Sequence, residues 1–169
     1  MQENIQTGLL TEIACQYEFT RYGFVLFAPI TTDSRSDFIA DINGKLFRIQ
    51  CKSALTSSDG RSFSFNVCSI NWNTKEKHTY ENEIDFFYTF HNGKSYLIPI
   101  EDVSNKKTKT LRIEGEDKNN KSITWAEDYE FEKILKKIDS NIKAYVPHQS
   151  KEKEYFCVDC GERISSSKA

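Results

Sequence analysis

Residues 37–52 read DFIADINGKLFRIQCK, and they predict a β-hairpin without help from the rest of the chain. Asn43-Gly44 is a strong sequence signal for a two-residue type I′ turn, which requires a positive φ at both positions. Segments 37–42 and 45–53 flank the turn, and from Phe47 to Lys52 apolar and polar side chains alternate. One face of the ribbon is therefore expected to pack, while the other remains available for chemistry.

The register of this hairpin predicts which side chains meet on the available face. A two-residue turn places Ile42 opposite Lys45, and counting outward from this pair places Asp37 opposite Gln50. Their Cβ atoms are expected to lie about 4.5 to 5.5 Å apart, with Lys52 two residues further along the same face. A carboxylate, an amide and an ammonium group should thus converge. Asp33 is an alternative to Asp37 if the strand starts earlier, whereas Asp41 is too near the turn.

The amino-terminal segment, from residue 2 to about 22, predicts an amphipathic helix that ends at Gly23. Its apolar side chains recur every four residues, and this stripe is expected to pack on the sheet: Ile5, Leu9, Ile13 and Tyr17. Glu12 lies at the border of the stripe and is expected to reach the hairpin, which would bring a second carboxylate to Asp37.

The remaining elements predict an α/β fold with a mixed, mostly antiparallel central sheet flanked by helices. Segment 24–27 is expected to be a short buried strand, and 61–69 a third long strand. Segment 71–83 is expected to be loop and short helix. A second hairpin, 84–90 with 95–100, turns at Asn92-Gly93, and 126–138 predicts a closing helix with acidic residues first and lysines last.

The composition predicts a folded protein that stays in the cytoplasm and does not enter a membrane. The 169 residues carry a formal charge of −2, and no apolar run approaches the roughly 18 residues that a membrane span needs. Three of the five cysteines lie in apolar patterns and are expected to be small core residues: Cys15, Cys51 and Cys68. The histidines His78 and His91 are expected at the surface.

Carboxylate and amide oxygens of this kind suit Mg²⁺, or Mn²⁺ in its place, because these ions prefer hard oxygen ligands. Such an ion can polarise a scissile phosphate, while Lys52 positions water or neutralises charge in the transition state. Asp37, Gln50 and Glu12 are thus the candidate metal ligands. Each residue alone also has an ordinary explanation as a solvated surface group, and it is their joint placement that favours a site.

This constellation resembles the PD-(D/E)XK nuclease superfamily, which has a helix-borne Glu, an Asp on the first hairpin strand and (Asp/Glu)-x-Lys on the second. The matching residues here are Glu12, Asp37 and Gln50-Cys51-Lys52. Ser36 replaces the motif's proline, and Gln50 replaces its acid, which is expected to lower metal affinity. Glu12, Asp37, Gln50 and Lys52 would be the catalytic residues of a restriction-endonuclease-like fold.

Later segments look most like the branch of group I intron-encoded homing endonucleases, in which a QxK variant of the motif occurs. The resemblance implies a homodimer or homotetramer that cuts one site in double-stranded DNA. It also implies DNA contacts near Trp72 and at five basic residues: Lys106, Lys107, Lys109, Arg112 and Arg35. A Holliday-junction resolvase, or a DNA-binding protein that has lost catalysis, are the alternatives.

The chain is expected to divide into a nuclease domain, 1–146, and a charged tail, 147–169. Cys157 and Cys160 in the tail have the spacing of half a zinc ribbon, and structural zinc usually takes four ligands. A second pair does not follow in this sequence. Truncation, a pair from another subunit, or a simple turn remain open, and His148 is a poor third ligand by its spacing.

Overall fold

The computed structural model describes most of the chain as one α/β unit. It covers residues 2–31, 33–70, 76–103, 107–116 and 120–141, together with the short pairs 155–156 and 163–164. The helices are α1 (Gln2–Arg21) and α2 (Phe131–Ile138), and 3-10 turns occur at Ile100–Asp102 and Ala126–Tyr129. The strands are β1 (Val25–Phe27), β2 (Phe38–Ile42), β3 (Lys45–Cys51), β4 (Leu55–Thr56), β5 (Ser62–Asn66), β6 (Cys68–Ile70), β7 (Lys77–Thr79), β8 (Phe86–His91), β9 (Lys94–Pro99), β10 (Thr108–Arg112), β11 (Tyr155–Phe156) and β12 (Arg163–Ile164).

The central sheet has five strands in the order β1-β2-β3-β8-β9. Every neighbouring pair is antiparallel except β3 and β8, which run parallel at the centre. The strands β10-β5-β4, in that order, form a second, separate sheet. The predicted α/β class with a mixed, mostly antiparallel sheet is confirmed.

Both predicted hairpins form with the expected turns. Asn43 and Gly44 have φ values of 52° and 83°, and Asn92 and Gly93 have 48° and 76°. These are the positive angles that a type I′ turn requires. Ile42 pairs with Lys45, so the predicted register of the first hairpin is confirmed.

Two clusters of buried side chains sit on opposite faces of the central sheet. The first joins α1 and α2 to one face, with Cys15, Phe19, Ile49 and Leu135 at its centre. The second joins β5 and β10 to the other face through side chains that include Phe65, Phe87 and Leu111. Because strand side chains alternate between faces, Gln50 and Lys52 point toward the second layer while Ile49 and Cys51 point toward the helices.

The predicted packing face of α1 is wrong, although the helix itself and its end before Gly23 are confirmed. The core contains Cys15 and Phe19, with Thr11 also buried. The predicted stripe lies on the other side of the helix, where its members are half exposed or more: Ile5 67%, Leu9 55%, Ile13 50% and Tyr17 63%. The helix carries two apolar stripes, and the shorter one faces the sheet.

Three further sequence predictions are corrected by the structure. Segment 24–27 is an edge strand, in which Val25 is 56% exposed, rather than a buried strand. Residues 77–79 form strand β7 against β6 instead of loop and helix. The closing helix begins at Phe131 rather than at 126, because Glu130 is extended and forms a β-bridge with Tyr96. Among the described helices, none is both long and apolar enough to cross a bilayer.

Candidate active site

The end of the first hairpin brings Asp37 and Gln50 into direct contact. Phe38 pairs with Ile49, so the next residues outward, Asp37 and Gln50, lie opposite each other. Gln50 Nε2 donates to Asp37 Oδ2 at 2.6 Å, and the backbone N–H of Cys51 donates to the same oxygen at 2.6 Å. Two donors therefore hold this carboxylate in one orientation.

The carboxyl groups of Asp37 and Glu12 interact electrostatically at this site. Burial raises the pKa of Asp37 above its ordinary value, although the Cys51 N–H, the Lys52 charge and the Gln50 amide each act to lower it. Burial and the charge of Asp37 raise the pKa of Glu12. Glu12 thus lies near enough to Asp37 for the two charges to interact, and its predicted role in the site stays a prediction. A cation bound between them would relieve this accumulation of negative charge.

Lys52 is held by a tyrosine that the sequence analysis missed. Lys52 Nζ donates to the Tyr80 hydroxyl at 2.9 Å, and only 4% of Tyr80 is exposed. Tyr80 lies in a polar stretch, where its neighbours give no periodic signal of burial. In the sequence, the burial of Tyr80 is suggested only by its being a large aromatic residue among polar and charged ones. In the structure this residue determines where the ammonium group sits.

Arg35 supports Tyr80 from its other side. Its guanidinium carbon lies 3.9 Å from the centre of the Tyr80 ring, the geometry of a cation–π contact. Three groups accept hydrogen bonds from the same guanidinium: Glu83 Oε2 at 2.7 Å, Ser69 Oγ at 2.9 Å and the Thr79 carbonyl at 2.9 Å. Arg35 thus braces the tyrosine, and its predicted contact with DNA stays a prediction.

The other predicted DNA contacts are dispersed. Lys109 and Arg112 lie on β10, in the second sheet rather than on the hairpin. Lys109 Nζ donates to the Asp102 carbonyl at 2.8 Å, and Arg112 lies 3.8 Å from Asp59. Lys107 is exposed beside the same strand. Lys106 and Trp72 lie outside the described residues, as do the tail residues His148, Cys157 and Cys160.

The alternative acids do not join the site. Asp41 Oδ1 accepts the Gly44 N–H at 2.7 Å, so its carboxylate caps the hairpin turn. Asp33 is exposed in a turn before β2.

The structure also shows whether the predicted histidines and cysteines are buried or exposed. His78 is exposed, as predicted, but the surface placement predicted for His91 is wrong. His91 is 6% exposed because it ends β8 and stacks on Phe63, with ring centres 4.6 Å apart. Three cysteines are free thiols in the core, as predicted: Cys15, Cys51 and Cys68.

The family model for PD-(D/E)XK endonucleases matches residues 2–132. The chain belongs to this endonuclease family. The matched span of the PD-(D/E)XK endonuclease model includes Glu12, Asp37, Gln50 and Lys52, the residues on which the resemblance in the sequence was based.

Two individual proteins are similar to this PD-(D/E)XK chain. Protein 5.3 of Escherichia phage T7 is 34% identical over 56 residues, which are 33% of this chain and 48% of the phage protein. The matched segment thus spans about half the length of that relative. A solved bacterial homing endonuclease, I-Ssp6803I, superposes with a TM-score of 0.58 at 18% identity, covering 78% of this chain and 90% of the other. At that identity the likeness establishes the fold.

Proposed function

We propose that this chain is a divalent-metal-dependent endonuclease that hydrolyses phosphodiester bonds in double-stranded DNA. Membership in an endonuclease family supports nuclease chemistry. The observation that carries the finer proposal is the convergence of Asp37, Gln50 and Lys52 at one end of the hairpin. We also propose that it acts in the cytoplasm, with residues 1–146 forming the nuclease domain.

The donor set suits a hard, oxygen-preferring ion such as Mg²⁺ or Mn²⁺. Asp37 and Glu12 bring two carboxylates, and burial raises the pKa of both. Across the described residues, no three His, Cys, Asp or Glu side chains form a cluster, so two carboxylates are the expected charge of the site. Mg²⁺ usually takes one or two carboxylates and completes its shell with water and phosphate oxygens. In this proposal the Gln50 amide oxygen is a further, neutral ligand.

The ion would supply Lewis-acid polarisation of the scissile phosphate. Residues of the chain itself would position the ligands and stabilise the charge of the transition state. The Gln50 amide and the Cys51 N–H fix the Asp37 carboxylate, which avoids a reorganisation cost when substrate arrives. Lys52 would offer a positive charge to the transition state with five-coordinate phosphorus, in which the bond from water to phosphorus forms and the bond to the leaving oxygen breaks. Tyr80 keeps that charge in place.

Site-specific cleavage of the homing type is the finer proposal. It is supported by the fold shared with a bacterial homing endonuclease. An enzyme that cuts both strands of a duplex needs two such sites, which favours a symmetric oligomer. Linear duplex and four-way DNA substrates, compared side by side, would distinguish a homing enzyme from a junction resolvase.

A plasmid-nicking assay with Mg²⁺, Mn²⁺ or EDTA tests the proposal. Asp37→Asn and Lys52→Ala are expected to lower the cleavage rate at least about a hundredfold, because each removes a group placed at the developing charge. Lys133→Ala is the matched control, since Lys133 is exposed on α2 and pairs with Asp128. Equal rates in all four proteins would reject the site. Binding to DNA without cleavage in the intact protein would favour the non-catalytic alternative.

A further inference from the structure

Helix α1 presents a broad apolar surface to solvent on the side that faces away from the core. Its members are Ile5, Leu9, Leu10, Ile13 and Tyr17, all between 50% and 67% exposed. At 100° per residue, these five side chains fall within an arc of about 140°. We call this surface the α1 apolar face. Exposed apolar side chains are normal when they are scattered singly, but a contiguous group marks a contact surface.

The α1 apolar face carries no charge. From Ile5 to Thr20, every exposed residue is uncharged, and the apolar five are joined by Gln6, Thr7, Gln16 and Thr20. This is unusual in a chain of which 28% is charged. Glu12 and Glu18 lie at the two borders of the surface and are half-buried. A neutral surface can face an identical surface without like-charge repulsion.

The α1 apolar face also combines a ridge with a groove. The exposed side chains of Ile5 and Leu9 lie outside the groove lining and form the ridge. On the other side, Leu10, Ile13 and Tyr17 line a mostly apolar groove of about 570 Å³ with Phe90 and Ala54, and the half-buried Glu18 lies in its wall. In a two-fold contact each surface meets its own copy, so that the ridge of one chain can enter the groove of the other.

We propose that the α1 apolar face is the contact surface for a second copy of this chain, packed helix on helix across a two-fold axis. Nucleic acid is a poor occupant, because the surface lacks the Lys and Arg that pair with phosphates. A lipid surface is also a poor occupant, because interfacial helices carry basic residues along their polar border and α1 has Glu12 and Glu18 there.

The pairing has a functional consequence that rests on the proposed function. Glu12 lies on α1 at the border of the α1 apolar face, and its charge interacts with that of Asp37. Pairing through α1 would therefore join two cleavage sites through the helices that help to build them. A dimer of this kind would supply the two sites that double-strand cleavage needs.

Sedimentation of the full chain over a concentration series tests the surface. The wild type is expected to form a dimer of twice 19.6 kDa. Leu9→Glu and, separately, Tyr17→Asp are expected to raise the dimer dissociation constant about a hundredfold or more, because each change acts twice across a two-fold axis. Leu46→Glu is the matched control, since Leu46 is 64% exposed on β3, and it should leave the dimer intact. Thermal melts confirm that each variant is folded.

A wild type that stays monomeric at every concentration overturns the proposal. So does a dimer that both α1 variants leave unchanged, since another surface would then form it. Nicking of supercoiled plasmid separates this outcome from the proposed function. A monomeric Leu9→Glu variant should still nick single strands in Mg²⁺ while losing concerted double-strand cleavage, whereas failure of the proposed function abolishes nicking in the wild type as well.

Discussion

Changing Gln50 to glutamate tests the contact on which the candidate site depends. The Gln50 side chain is buried and donates to Asp37 at 2.6 Å. Gln50→Glu removes the donor and places a second carboxylate beside the first. Two like charges about 4 Å apart repel by about 4 kcal/mol at an effective dielectric constant of about 20. The lost hydrogen bond to a charged group adds about 1.5 to 3 kcal/mol.

Protonation of one carboxyl limits the destabilisation. For a group with an ordinary pKa of about 4.3, binding a proton near pH 7 costs about 1.4 kcal/mol for each pH unit, or about 4 kcal/mol in all. We therefore expect Gln50→Glu to lower the free energy of unfolding by about 4 kcal/mol near pH 7 when divalent metal is absent. A pKa raised in the folded state makes this penalty largest at high pH. The penalty should shrink as the pH falls toward the unfolded value of about 4.3.

Urea unfolding of wild type and Gln50→Glu, measured by circular dichroism across this pH range with EDTA or with Mg²⁺, gives the difference directly. Mg²⁺ should stabilise the variant more than the wild type, because a cation offsets two adjacent carboxylates. Asn66→Asp is the control, since Asn66 is exposed on β5 and its change should cost less than about 0.5 kcal/mol. Equal stability of Gln50→Glu and wild type near neutral pH would refute the reasoning. So would a difference in their free energies of unfolding that does not shrink as the pH falls.

Three further predictions each concern one residue. Tyr80→Phe removes the acceptor that holds Lys52 and should lower kcat about tenfold with little change in KM, and steady-state kinetics in which only KM moves would argue against it. Burial lowers the pKa of His91, so the wild type should lose stability as the pH falls below about 6.5, where the unfolded chain binds a proton that the folded chain resists. In urea unfolding, the free energy of unfolding of His91→Phe should depend less on pH in that range than that of the wild type. An identical pH dependence for the two proteins would contradict this. Atomic absorption should find less zinc in Cys160→Ser than in the wild type, and no difference would remove the case for zinc in the tail.

The hairpin was predictable because its determinants are local. Asn43 and Gly44 supply the turn, and the two-residue period then fixes which side chains share a face. The contact between Asp37 and Gln50 follows from counting alone. The family match spans the same residues, so the resemblance read from the motif is confirmed at the level of the family. The catalytic and metal-binding roles of the individual residues stay predictions.

The orientation of α1 was not predictable for a physical reason. Periodicity shows that a helix has apolar stripes, but it does not show which stripe the sheet covers when there are two. Cys15 and Phe19 face the core, although the stripe through Leu9 and Ile13 is longer. Tyr80 was missed for a related reason, since it contacts residues from other segments, such as Phe87 in the core and Arg35, which is 45 positions away in the chain.

The type I′ turn at Asn43-Gly44 fixes which residues lie opposite each other at the far end of its two strands. One residue gained or lost between Phe38 and Ile49 would rotate one strand by half a period and carry Asp37 to the opposite side of the sheet from Gln50. A change of length in the loops of the second sheet would leave this pairing unaltered, since it lies outside the ribbon. A chain with a ribbon of different length would have to place other residues opposite each other at this end of the sheet.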